Sequence, residues 1–279
     1  VHRRALGWLT QHTPYREFAY APRPADGAVH HTPWTLRHPE VWMAELDSLR
    51  AEHPTLMLMA SCGYMLRPLI AALRAEGLPF HNPWRRKNGA WNPLTHGKMP
   101  ERIAALLRRD TEGYWSAADV RLFAEGLRAD GVFQRGKKKD LTLSPDVMAL
   151  GEVETWMESF LLPEAWTALS RLEPARLLQW WYAHLLSAEQ AKADYPLLVY
   201  RRHGFEALTM VPQLVVGTIH SLKGSEASCV LLAPDLSKAG MEEWMMGGEG
   251  RNAIIRQFYV GLTRAKDALY FLSPFQKLR

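Results

Sequence analysis

Thr218-Ile219-His220-Ser221-Leu222-Lys223-Gly224-Ser225-Glu226 is the stretch on which the fold of this sequence turns. An apolar run from Gln213 to Ile219 leads into it, and a second run, Cys229 to Ala233, leads away. The first run is crowded with β-branched residues (Val215, Val216, Thr218, Ile219), the composition of a buried strand. The segment between the runs packs His, Ser, Lys, Gly and Glu into a short polar turn. Open α/β sheets place their ligands at the ends of such strands. The same residues also suit an ordinary connecting loop.

A second segment, Phe258-Tyr259-Val260-Gly261-Leu262-Thr263-Arg264-Ala265-Lys266, bears on that choice. Together the two stretches resemble motifs V and VI of superfamily 1 DNA helicases of the UvrD/Rep type, in the same order and at a compatible spacing. Two long matches of low degeneracy are a far more specific signal than a single glycine pattern. The resemblance implies a RecA-like parallel sheet flanked by helices, of the P-loop NTPase type, with a helical insertion. It implies that this chain corresponds to the second motor domain: 1–83 as its first part, 84–206 as the mainly helical insertion, and 207–279 as its second part.

Motif IV of the same family is matched more loosely. Thr55 to Ala60 reads as a compact strand, Met65 to Glu76 as a helix stopped by Gly77, and Leu78 to His81 as the next extended piece. This is a βαβ pattern and so a parallel sheet. Arg67 falls on the family's arginine and Pro79 on its proline. Cys62 stands in the usual region of Ser-Asn. The customary Gly-Gly is replaced by a basic loop, His81-Asn82-Pro83-Trp84-Arg85-Arg86-Lys87-Asn88-Gly89, with Trp91 close behind. Basic plus aromatic suits a single strand of nucleic acid; a solvated loop with its tryptophans tucked inward suits the pattern equally.

By resemblance, Arg67 and Arg264 reach the γ-phosphate of ATP, where a planar, permanently charged fork stabilises developing charge. Glu226 takes a hydrogen bond from the ribose, Gly224 lets the backbone turn close to the nucleotide, and Thr218 and His220 face the DNA backbone. Lys223 and Arg256 are further candidates. The implied ligand is ATP with Mg2+, and the magnesium ligands are expected elsewhere. No Gly-x-x-x-x-Gly-Lys-Ser/Thr phosphate loop and no paired Asp-Glu at a strand end occur in these 279 residues. The opening Val1, inside an apparent helix to Thr10, is what a piece of a longer protein would show. The expectation is the C-terminal half of an ATP-dependent 3′-to-5′ helicase or translocase acting on single-stranded or partly duplex DNA. This half would be inactive until an N-terminal P-loop domain joins it. The alternative is a helicase-derived module that binds DNA or protein without ATPase activity.

Composition agrees without deciding. The formal charge is +5 and the isoelectric point near 9.2, which permits a nucleic-acid partner. Hydrophobic residues make up 47% of the chain, enough for a sizeable core. Two cysteines, Cys62 and Cys229, do not make a disulfide framework, and a reduced, cytoplasmic setting is the default. No apolar run approaches the roughly 20 residues of a membrane span, so no membrane partner is expected. His30 and His31 belong to no zinc-like spacing.

Elsewhere, Ala28 to Trp34 reads as a strand after the turn Pro24-Ala25-Asp26-Gly27, and Pro39 to Glu52 as an amphipathic helix. Pro100 to Arg109, Ser116 to Ala129 and Pro163 to Ser187 read as helices, with Trp156, Trp166, Trp180 and Trp181 at packing positions. Arg135-Gly136-Lys137-Lys138-Lys139-Asp140 is a charge run suited to solvent or to phosphate. Strands are expected again over Leu208 to Ile219, Cys229 to Ala233 and Ala268 to Leu272. Asp235 to Gly250 is expected to be a loop, and Asn252 to Lys266 a helix.

Overall fold

Leu56–Ala60 is apolar at every position and buried at every position, as a strand covered on both faces requires. It is β2 of a six-stranded sheet in which every pairing is parallel and the order is β1-β6-β5-β2-β4-β3. The other strands are β1 (Ala28–His31), β3 (Phe80–His81), β4 (Leu214–Thr218), β5 (Ala227–Leu232) and β6 (Ala265–Phe271). The computed structural model describes residues 1–12, 26–95, 98–112, 116–139 and 150–275. The sequence-expected turn at Pro24 and Ala25, and Asp140 of the charge run, lie outside them.

The chain divides into two compact units, Val1–His96 with Val211–Arg279, and Gly97–Met210. The first holds the sheet. Met57 and Met59 of β2, Val230 and Leu232 of β5 and Leu269 of β6 share one face, because side chains alternate along a strand. They pack with Ala5 of α1 (His2–His12) and with Ile254, Phe258 and Leu262 of α12 (Gly248–Leu262). Leu56, Leu58 and Ala60 point the other way and are fully buried too. Helices α2 (Met43–Glu52) and α3 (Arg67–Ala75) bury Leu46, Leu49, Leu69 and Leu73.

The second unit is helical: α4 (Met99–Glu112), α5 (Ala117–Glu125), α6 (Leu150–Phe160), α7 (Pro163–Arg171), α8 (Pro174–His184), α9 (Ser187–His203) and the short α10 (Glu206–Thr209). Trp181 is fully buried there and donates to the Phe123 carbonyl at 3.4 Å. Arg102, 7% exposed, is held between Glu125 (3.1 Å) and Glu189 (2.5 Å). Lys138, in the charge run, turns back to donate to the Leu127 carbonyl rather than standing in solvent.

Several sequence-based boundaries move. The helix expected over Pro163 to Ser187 is two helices, α7 and α8, with α9 starting at Ser187, because Leu172 and Glu173 are extended before Pro174, and Leu185 and Leu186 are extended before α9. A residue preceding proline is disfavoured in helical geometry. The loop expected over Asp235 to Gly250 contains α11 (Lys238–Met246), capped by the Ser237 hydroxyl accepting from Gly240 N–H at 3.0 Å. Leu208 belongs to α10, not to a strand. The helix expected to end at Lys266 stops at Leu262, which leaves Arg264 in a corner before β6. The boundary between the units falls at Gly97, beyond Trp84, because the basic loop belongs to the sheet-bearing unit.

Candidate functional site

Parallel strands force the segment joining β4 to β5 to travel the full height of the sheet, from the C-terminal edge of one strand to the N-terminal edge of the next. Ile219 to Glu226 does this in eight residues. Its path begins with a close fold-back. A Cβ on Gly217 would lie 2.5 Å from Asn82 Nδ2, 2.8 Å from Leu222 Cγ and 2.8 Å from Ser221 Oγ, so only glycine fits. The Thr218 hydroxyl accepts from Ser221 N–H at 3.1 Å, while Ser221 Oγ and Leu222 N–H donate to the Thr218 carbonyl. Ile219 and Leu222 then drop into the core beneath α12. Polar residues therefore stay outside while apolar ones anchor the crossover.

Thr218 is 7% exposed, and its oxygens close the turn. His220 and Lys223 are exposed, and neither side chain has a hydrogen-bond or ion-pair partner among the described residues. Gly224 has φ +91° with open space where a Cβ would stand, so its requirement is conformational rather than steric. Glu226 pairs with Lys266 at 3.2 Å, both about half exposed, a contact of small energy in water.

Arg264 sits where α12 turns into β6, half-buried. Its Nε donates to the Val260 carbonyl (2.9 Å), Nη1 to the Ser225 carbonyl (3.2 Å) and Nη2 to the Thr263 hydroxyl (2.9 Å). Those three bonds fix the guanidinium plane and use three of its five N–H donors. No carboxylate lies within ion-pair distance of it among the described residues. A half-buried cation held by neutral acceptors, with one donor left on each Nη, has the charge and the donors that an anion would need. The Arg264 carbonyl also accepts from Ala227 N–H at 3.0 Å, which ties this corner to the end of the crossover. Gly224, Ser225, Glu226, Arg264 and Lys266 are thus gathered at the N-terminal edge of β5 and β6.

Arg67 lies elsewhere. It is the first residue of α3, exposed and without an ion pair among the described residues, just past the C-terminal edge of β2. Strands β2 and β6 run parallel, so Arg67 and Arg264 are separated by the height of the sheet, about 17 Å for five residues. Within this chain the two expected phosphate arginines are not brought together. Arg256 is spent on Glu249 of its own helix.

The basic loop seats itself against the crossover. Asn82, fully buried, donates from Nδ2 to the Val216 carbonyl (2.8 Å) and accepts at Oδ1 from Trp84 N–H and Arg85 N–H, each at 3.1 Å. Asn92 Oδ1 accepts from Asn82 N–H at 2.9 Å. Trp91 is 7% exposed with the Arg85 guanidinium 5.0 Å above its ring, whereas Trp84 is 63% exposed and donates from Nε1 to Ser225 Oγ at 3.0 Å. One tryptophan is tucked in and the other stands out.

A second feature escaped the sequence reading. A cleft of about 1500 Å³ opens along the C-terminal edge of the sheet, floored by His31, Pro234, Asp235 and Phe271 and walled by Trp8 and Trp244. Those two tryptophans stack at 6.0 Å, and Arg251 lies 4.6 Å over the Trp244 ring. Burial pushes the Asp235 carboxyl up from its ordinary range, partly opposed by Phe275 N–H donating to Oδ1 at 2.6 Å. None of Arg67, Thr218, His220, Gly224, Glu226 or Arg264 lines this mostly apolar cleft. The crossover and its corner carry the polar convergence, and we place the site there. Nothing in the local sequence announces the cleft, because its walls come from α1 and α11, far apart in the chain.

Among the described residues no helix is long and apolar enough to cross a membrane, and no three His, Cys, Asp or Glu side chains are grouped to hold a metal ion. No protein-family model and no curated protein matches this chain.

Proposed function

We propose that this chain is the C-terminal motor half of an ATP-dependent DNA helicase or translocase of the UvrD/Rep type, RecA-like in fold, with 97–210 as a helical insertion. The observation that carries this reading is Arg264, preorganised on three neutral acceptors, with donors to spare, beside a Gly224–Glu226 turn. Geometry and donor set fit a nucleotide phosphate: the guanidinium offers a fixed fork, Gly224 leaves the backbone open to approach, and Glu226 offers a carboxylate for a ribose hydroxyl. ATP with Mg2+ would supply the phosphoryl group and its charge neutralisation; the phosphate loop and the metal ligands belong to an N-terminal domain. His220 and Lys223 present donors for DNA phosphates, and Thr218 serves by closing the turn that presents them. Arg67, at the other edge of the sheet, is left for a separate contact.

A binding module without ATPase activity is the second reading. The separation of Arg67 from Arg264 favours it, because one arginine alone then remains at the nucleotide corner. DNA-stimulated ATPase activity of the polypeptide that carries this chain with its P-loop half separates the two. The motor reading expects Arg264→Ala to remove most of the rate, about a hundredfold or more by the scale of lost transition-state donors, and this chain alone to be inert. A rate unchanged by Arg264→Ala would overturn it in favour of the binding module.

A further inference from the structure

Trp84 is a large apolar side chain that the fold holds in the open. It is not loose: its indole N–H is fixed on Ser225 Oγ at 3.0 Å, and its backbone N–H on the buried Asn82. The bond to Ser225 holds one edge of the ring against the crossover and leaves 63% of the residue exposed.

The surroundings are rich in cations, and the adjacent carboxylate, Glu226, is paired with Lys266 at 3.2 Å. Arg85, Arg86 and Lys87 follow directly, Lys223 lies two residues before Ser225, and all four are exposed. None of the four makes an ion pair among the described residues. Asn82 to Lys98 and Gln213 to Ser225 include no Asp or Glu. A fixed aromatic face ringed by uncompensated positive charge suits a flexible polyanion with flat apolar groups, a description met by unpaired nucleotides.

We propose that Trp84 is a stacking platform for one unpaired base of a single-stranded nucleic acid, that Ser225 is the residue that sets its angle, and that Arg86, Lys87 and Lys223 hold the flanking phosphates. This rests on the DNA-binding part of the proposed function and names the contact that part lacked. Stacking is indifferent to base identity, so the platform lets the strand pass without reading its sequence.

The test is fluorescence anisotropy of the full chain with a fluorescein-labelled oligodeoxythymidylate over a salt series. Trp84→Ala is expected to weaken binding by about tenfold or more with the slope of log K against log salt unchanged, because no phosphate contact is lost. Trp84→Phe should keep most of the affinity. Lys87→Ala should lower the slope by about one phosphate contact instead. Ser225→Ala should weaken binding about fivefold, and Ser225→Thr, which restores a hydroxyl, should recover it. If the wild-type chain binds and Trp84→Ala binds equally well, or loses affinity only through a changed salt slope, the platform is refuted while the DNA-binding reading stands. If the wild-type chain does not bind the oligonucleotide at low salt, both fall.

Discussion

Replacing Gly217 by alanine places a methyl group where the crossover folds back on β4. The new carbon would stand 2.5 Å from Asn82 Nδ2 and 2.8 Å from both Leu222 Cγ and Ser221 Oγ. All three must give way: Asn82 Nδ2 and Ser221 Oγ are side-chain ends tied to the Val216 and Thr218 carbonyls, and Leu222 is fully buried. Overpacking a well-filled site costs about 1–3 kcal/mol. Moving the Asn82 amide also strains its bond to the Val216 carbonyl, about 1 kcal/mol more. The expected total is about 2–4 kcal/mol. At about 2–4 °C per kcal/mol for a domain of roughly 150–250 residues, Tm of the sheet-bearing unit should fall by about 4–16 °C. Calorimetry measures this, and hydrogen exchange at the amides of Trp84 and Arg85 locates it, because Asn82 Oδ1 holds both. Asn82→Ala in the same chain removes the nearest clash, so the double variant should be less destabilised than the two single effects summed. If Gly217→Ala melts within about 1 °C of wild type, the close fold-back is wrong, and with it the placement of the loop on the crossover.

Two further outcomes follow from titratable groups. Burial pushes the Cys229 thiol up to about 12, so at pH 8 a thiol reagent should modify Cys62 in the folded chain and leave Cys229 untouched until denaturant is added; rapid modification of both would contradict the burial of β5. Asp235 is a carboxyl whose folded-state pKa is raised, so the folded state binds more protons than the unfolded state. Its effect is to lower stability as pH rises from the unfolded carboxylate value, about 3.9, through the folded one. Asp235→Asn, which keeps the acceptor for Phe275 N–H, should therefore match wild type below about pH 3.9 and exceed its Tm at neutral pH; a gain of equal size at both pH values would show that ionisation is not the cause.

The parallel sheet could be read from sequence because its signals are local: unbroken apolar runs at Leu56 to Ala60 and Cys229 to Ala233, with β-branched Val215 and Val216 between polar ends. Helix ends set by tertiary packing could not. Nothing in Asp235 to Gly250 announces α11, since its Gly and Met content resembles a loop and its hydroxyl cap is a single serine. The corner at Arg264 was blurred because apolar spacing continues from α12 into β6, and only strand pairing with β5 decides where one stops. Arg67 and Arg264 lie at opposite edges of the sheet for a topological reason. Whether a residue follows or precedes a parallel strand fixes its edge of the sheet, and motif resemblance carries no such information. Trp84 and Trp91 belong to one basic loop whose composition does not say which ring is buried; the buried Asn82, which accepts from Trp84 N–H, holds Trp84 at the surface.

The strand order also bears on synthesis. β1, β2 and β3 never pair with one another: β1 lies on β6, β2 between β4 and β5, and β3 on β4. Until residues 211–279 are made these strands have no partner, and the wholly apolar Leu56–Ala60 lacks both of the strands that flank it in the sheet. The helical unit, whose elements are contiguous in the chain, is complete by then. Sheet assembly must wait for residues 211–279 and close long loops at once, which is slow and leaves sticky edges open in the meantime. A nascent chain arrested near residue 210 should be a chaperone client with a folded helical unit, and release of the last strands should convert it in one cooperative step.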